Sequence, residues 1–126
     1  MRVLIAAAFA IGVCSTAMAE PSGLVEFHHG YITGNAYRDM PPVGRQGYVI
    51  GVVDGMLTAP AFGAPSGMRS WLGRCLETGI RTDQLKAIVD KYLSGHPEIW
   101  DQDMAWITYA ALLPVCRSRG FKPSAS

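Results

Sequence analysis

From residue 82 to residue 95 the apolar positions are Leu85, Ile88, Val89, Tyr92 and Leu93. This i, i+3, i+4, i+7, i+8 spacing gathers them on one face of a helix and leaves Lys86, Asp90 and Lys91 off it. Thr82 stands where an N-cap is expected, and Asp83 falls in the first turn, where a carboxylate suits the helix dipole. Gly95 suits the residue just past the helix because glycine accepts positive φ. Pro97 cannot extend that helix but fits the first turn of the next. Gly95, His96 and Pro97 are therefore the expected structural turn between two helices. The second is expected to run from Pro97 to about Leu113, with Trp100, Met104, Ile107, Ala111 and Val115 on one face and Pro114 as its stop. Glu98, Asp101 and Asp103 come early in it, where each would add a few tenths of a kcal/mol, on the order of 0.3, through the dipole.

Upstream, Trp71, Leu72, Cys75 and Leu76 are spaced i, i+1, i+4, i+5, which again predicts a helix. Residues 43 to 58, VGRQGYVIGVVDGMLT, are harder because their β-branched content would suit a strand. The stripe of Tyr48, Val49, Val52, Val53, Met56 and Leu57, with Gly47, Gly51 and Gly55 four apart, favours a helix. Those glycines would share a face open to close backbone contact, each at a cost of about 1 kcal/mol relative to alanine. Pro41-Pro42 separates this helix from the element before it, and TAPAFGAPSG after it is a Pro- and Gly-rich loop. Leu24, Phe27, His28 and Tyr31 fit a helical stripe that Gly30 and Gly34 weaken, so Asn35 to Met40 is the firmer part. With no repeat or charge block, the expected architecture is all-α: a small single-domain bundle of about five helices.

The amino terminus adds a compartment. Arg2 precedes an uncharged apolar run, Val3 to Val13, and Ala17-Met18-Ala19 has the small-x-small form of a signal-peptide cleavage site. Cleavage is expected between Ala19 and Glu20, making residues 1–19 a signal peptide and 20–126 an exported, periplasmic domain. The run is shorter than the roughly 20 residues that span a bilayer, and no later run is long enough, so no membrane attachment is expected after cleavage. Val13 before Cys14 argues against a lipoprotein signal, which needs a small residue there. The remaining 107 residues suffice for one core. Ten basic residues face ten acids in them, so nothing steers a nucleic acid. Cys75 and Cys116 are then the two cysteines of an exported chain, and one disulfide between them is the default expectation. It would close a loop of about 40 residues, worth roughly 4 kcal/mol by chain entropy. Without a C-x-x-C pair, thiol redox chemistry has no support.

Groups that could carry chemistry are sparse. His28 and His29 are neighbours whose side chains point about 100° apart on a helix, and neither they nor His96 stand at a zinc-ligand spacing, so no metal site is expected. No G-x-S-x-G surrounds a serine, and Asp101 and Asp103, two apart, face different sides of a helix. No lysine follows the glycines of residues 47–55 as a phosphate loop requires. The expectation is no catalytic residue, no cofactor and no enzyme.

Taken as one unit, CLETGIRTDQLKAIVDKYLSGHPEIWDQDMAWITYAALLPVC has a defined order. A cysteine comes first, then T-x-Q-L-x-x-I-V-x-K-Y-L, then H-P-E, then A-L and a closing cysteine. This order, with YVIGVVDGM upstream, resembles the Rap/Tai family of periplasmic immunity proteins against type VI secretion amidases, over about residues 33–116. The chain departs from several members in lacking a second cysteine pair near Phe27 and Tyr48. The resemblance implies an all-α fold, a structural disulfide and a protein partner, a cell-wall hydrolase that the domain occludes; a homodimer is a further expectation. Trp100, Asp101 and Asp103 are the expected contact residues, an aromatic anchor beside acids, with Trp100 in the core as the competing assignment. The alternatives are a periplasmic stress chaperone of the HdeA type, although ten acids against ten bases is an ordinary load for acid-triggered opening, or a helical periplasmic protein of another role.

Overall fold

The computed structural model describes residues 31–123, and within them the regular elements are helical. They are α1 (Gly34–Arg38), α2 (Pro42–Thr58), α3 (Gly67–Leu76), α4 (Thr82–Gly95) and α5 (Met104–Ser118), with short 3-10 turns at Ala59–Phe62 and Pro97–Ile99. The amino-terminal stripe up to Gly30, the His28-His29 pair, Cys14 and the Ala19–Glu20 junction lie outside the described residues. Among the described residues no helix is long and apolar enough to cross a membrane.

α2 and α5 both pack along α4, and α3 closes against α2 and α5. The core is what the stripes predict: Val49, Val53 and Met56 from α2, Trp71, Leu72 and Cys75 from α3, and Leu85, Val89 and Leu93 from α4. α5 adds Met104, Ile107, Ala111, Leu112 and Cys116, and α1 adds Tyr37. Cys75 and Cys116 are fully buried and bonded, with Cα atoms 5.5 Å apart, so the disulfide joins α3 to the last turn of α5. Loop closure over 41 positions contributes roughly 4 kcal/mol.

Five local expectations are corrected. The helix expected from Pro97 to Leu113 is instead a 3-10 turn followed by α5, which starts at Met104. The segment between them turns back to pair with the entry to α1: Met104 N–H donates to Ile32 at 2.9 Å and Gly34 N–H to Gln102 at 3.0 Å. Trp100 and Asp101 therefore precede α5, and Asp103 is its N-cap, without a side-chain cap bond.

Pro114 does not stop α5, which continues to Ser118. Its ring lies on the exposed side of the helix, while Ala111, Leu112 and Cys116 hold the opposite side in the core. Packing and the disulfide thus outweigh the missing amide. In α4 the N-cap is Arg81, one residue earlier than expected, and Gln84 Oε1 accepts from the Arg81 amide at 3.0 Å. Gly95 remains helical and lacks positive φ; the chain turns at His96, with φ −131° and ψ 68°.

The glycine face of α2 is the fifth correction. Gly47, Gly51 and Gly55 are exposed, and a methyl group added at any of them would meet nothing within 4 Å. The close approach occurs at Gly34, where a Cβ would come 2.9 Å from the Trp100 carbonyl oxygen.

Candidate functional site

The turn after α4 holds the residues singled out in the sequence. His96 stacks on Tyr92 with ring centroids 4.2 Å apart, and its Nδ1 lies 2.7 Å from the Tyr92 carbonyl, which is satisfied by Nδ1–H donating. Pro97 opens the 3-10 turn. Gly95, His96 and Pro97 therefore make the turn, although through His96 rather than through a left-handed glycine.

Trp100 is half-buried and packs against the core. Its indole N–H donates to the Leu93 carbonyl at 2.8 Å, its own carbonyl accepts from Asn35 N–H at 2.7 Å, and the Arg38 guanidinium sits 3.3 Å from its ring centroid. One residue, through its ring and its backbone carbonyl, thus ties α1 to the end of α4. Asp101 is exposed and accepts from the Gln102 side chain at 3.3 Å. Asp103 is half-buried, and its charge, after burial, helps to raise the Tyr48 hydroxyl above its ordinary value. The structure therefore separates the three: Asp101 is presented outward, Trp100 holds the turn in place, and Asp103 is half-buried at the start of α5.

Asp90, off the apolar stripe of α4, is the acceptor of a second polar assembly. It accepts from the Tyr37 hydroxyl at 2.9 Å and from Lys86, and Arg45 lies 3.4 Å from it. The carboxylate and its two cations keep only 21–26% of their side-chain surface. Burial first, then the bond to Asp90, pushes the Tyr37 hydroxyl well above its ordinary range. Lys86 and Asp90 are an i,i+4 pair legible in α4 itself, but Tyr37 and Arg45 come from two other helices that only packing brings to it.

Among the described residues two aromatic rings are almost wholly exposed, Tyr31 ahead of the first helix and Phe62, 87% exposed, at the end of the Ala59–Phe62 turn; of these Phe62 is the one held inside the bundle's own connections. The turn is stiff for its size. Pro60 fixes one φ, Gly63 takes φ +94°, and the Gly63 and Ala64 amides donate back to Pro60 and Ala59 at 3.2 Å each. In the sequence this stretch is only a Pro- and Gly-rich loop; an aromatic flanked by turn residues on both sides, PAFG, is the signal that could have marked it. An exposed aromatic on a stiff turn costs little entropy to order in a complex. Asp101 and Glu98, both exposed, supply hydrogen-bond acceptors on a different edge.

No curated protein and no solved structure matches the chain. The family model of Rap1a immunity proteins matches residues 14–114, which takes in all the helices up to Pro114 of α5 and starts well before the stretch whose motifs carry the resemblance. With four-fifths of the sequence inside that match and an all-α, disulfide-joined fold beneath it, the chain belongs to the Rap1a immunity protein family.

Proposed function

We propose that this protein is a periplasmic immunity protein that binds a peptidoglycan amidase effector and blocks its active site. Family membership supports an inhibitor of a toxin effector; the amidase is the target that the Rap/Tai resemblance implies. The compartment rests on the amino-terminal pattern, Arg2, the apolar run to Val13 and Ala17-Met18-Ala19. The geometry that carries the binding mode is Phe62, an almost fully exposed aromatic held out on a stiff turn that directly follows and packs against α2. Aromatic side chains dominate interface hot spots, and a rigid turn presents one at small conformational cost. Asp101, the outward acid of the turn after α4, is the second contact in this reading.

The test is capture of effector from periplasm with the tagged protein, followed by inhibition of the captured hydrolase on purified peptidoglycan. Recovery of a cell-wall amidase that the protein inhibits is the expected result, and recovery of no cell-wall hydrolase would overturn the reading. Amino-terminal sequencing of the secreted protein is expected to begin at Glu20; an intact Met1 start would remove the periplasmic part of the proposal.

A further inference from the structure

Between α4 and α5, on the far side of α4 from the Asp90 assembly, runs a shallow groove of about 380 Å³. Its floor is apolar: Ile80, Ile88 and Val115 are half-buried and Ala87 is exposed beside them. Two cations, Lys91 and Arg119, stand at its rim, and no carboxylate lines it. Neither cation is ion-paired among the described residues. Lys91 makes no hydrogen bond there, and Arg119 donates only to the Thr78 hydroxyl. This contrasts with Lys86 and Arg45 on the other side of the same helix, which share a carboxylate. The volume lies near the small end of the ligand-pocket range, about 300–1,000 Å³, which suits a side chain or two rather than an extended ligand.

From this we infer that the groove is a second docking site for the effector, receiving an aliphatic side chain flanked by carboxylates on the effector surface. Burial of the aliphatic group against Ile80, Ile88 and Val115 supplies the apolar contact. The unpaired cations select acidic flanks and reject basic ones, because like charges facing each other across a rim are repelled. The inference rests on the immunity reading for the identity of the partner, but its chemistry can be tested separately.

The experiment is a titration of the methyl-labelled secreted protein with a blocked helical peptide carrying leucines between glutamates, followed by NMR. A matched peptide with lysines in place of the glutamates is the control. The expected result is movement of the Ile80, Ile88 and Val115 methyl signals, at least tenfold weaker binding of the lysine peptide, and a similar loss in a K91E/R119E variant whose melting temperature is unchanged. Three results would overturn the inference. The methyls could stay unmoved, the two peptides could bind alike, or the signals could shift with protein concentration alone, which would mean that a second copy of the chain covers the groove. Failure of the immunity reading looks different: the peptide titration succeeds while no amidase is inhibited. Inhibition that persists in K91E/R119E with a silent groove would sink the groove and leave immunity standing.

Discussion

The Tyr37 hydroxyl donates to Asp90 at 2.9 Å, tying the five-residue α1 to α4 across 53 positions of sequence. A helix of five residues is far below the length at which an isolated helix is stable in water, so α1 exists by virtue of its tertiary contacts. Asp90 also pairs with both Lys86 and Arg45, which are about three-quarters buried. Asp90→Asn leaves two cations without a counter-charge at nearly constant side-chain volume. The expected cost is about 1–3 kcal/mol, below the range for a fully buried pair because a quarter of each side chain reaches water. Urea denaturation measures it, and a loss under about 0.5 kcal/mol would show that the assembly is incidental. Tyr37→Phe is expected to cost about 1 kcal/mol, and the double variant less than the sum of the two.

The same hydroxyl is expected to contribute to the loss of stability at alkaline pH, as is the Tyr48 hydroxyl, which burial also raises. Burial and the bond to Asp90 raise the folded pKa of Tyr37 above the unfolded value of about 10. The unfolded chain then loses this proton first as pH rises, so the contribution is complete below about pH 10 and is lost as the pH climbs toward the folded pKa. Between those limits the slope attributable to Tyr37 approaches 1.4 kcal/mol per pH unit, the linkage value for one proton. Tyr37→Phe is expected to flatten the pH dependence of the denaturation midpoint above pH 10. An unchanged slope in the variant would exclude Tyr37 as its source.

Glycine-to-alanine changes at two sites are expected to have opposite signs. At Gly34 the new methyl would lie 2.9 Å from the Trp100 carbonyl oxygen and 3.0 Å from its Cα, against backbone that is itself held by the Asn35 amide. Relief requires moving the turn after α4, an overpacking cost of about 1–3 kcal/mol. At Gly51, in the middle of α2 and facing open space, alanine is expected to stabilise by about 1 kcal/mol through helix propensity. Thermal melts of the two variants decide the matter, and shifts of the same sign would contradict this account.

These two glycines also mark where the sequence was legible. The stripes of α3, α4 and α5 locate the helices and most of the core because burial on one face repeats every 3.6 residues. Gly34 carries no such signal, since its role depends on Trp100, 66 positions away, and the regular spacing of Gly47, Gly51 and Gly55 points to a contact that the fold does not make. Pro114 is a local stop signal overruled by Cys116 and Leu112 in the core. At the candidate site, the sequence marks the turn at His96 and Pro97 but not the division of labour in it. That Trp100 faces Leu93 and Arg38 while Asp101 faces water follows from tertiary hydrogen bonds. Phe62 is missed for a related reason: apolar residues are presumed buried, and only the packing shows one left out.

Phe62 separates binding from folding most cleanly. At 87% exposure its ring gives the fold little, so Phe62→Ala is expected to change unfolding free energy by less than about 0.5 kcal/mol. If the ring is the aromatic anchor of the amidase complex, the same change should weaken inhibition by about 2 kcal/mol or more, roughly thirtyfold in the inhibition constant. Trp100→Ala supplies the contrast. It removes the indole bond to Leu93 and the surface on which Arg38 stacks, so it is expected to lower the melting temperature first and inhibition only through lost fold. The two variants are compared by thermal melts and by amidase assays at a temperature where both are folded. Full inhibition by Phe62→Ala, with inhibition lost in a well-folded Trp100→Ala, would transfer the anchor from the Ala59–Phe62 turn to the turn after α4.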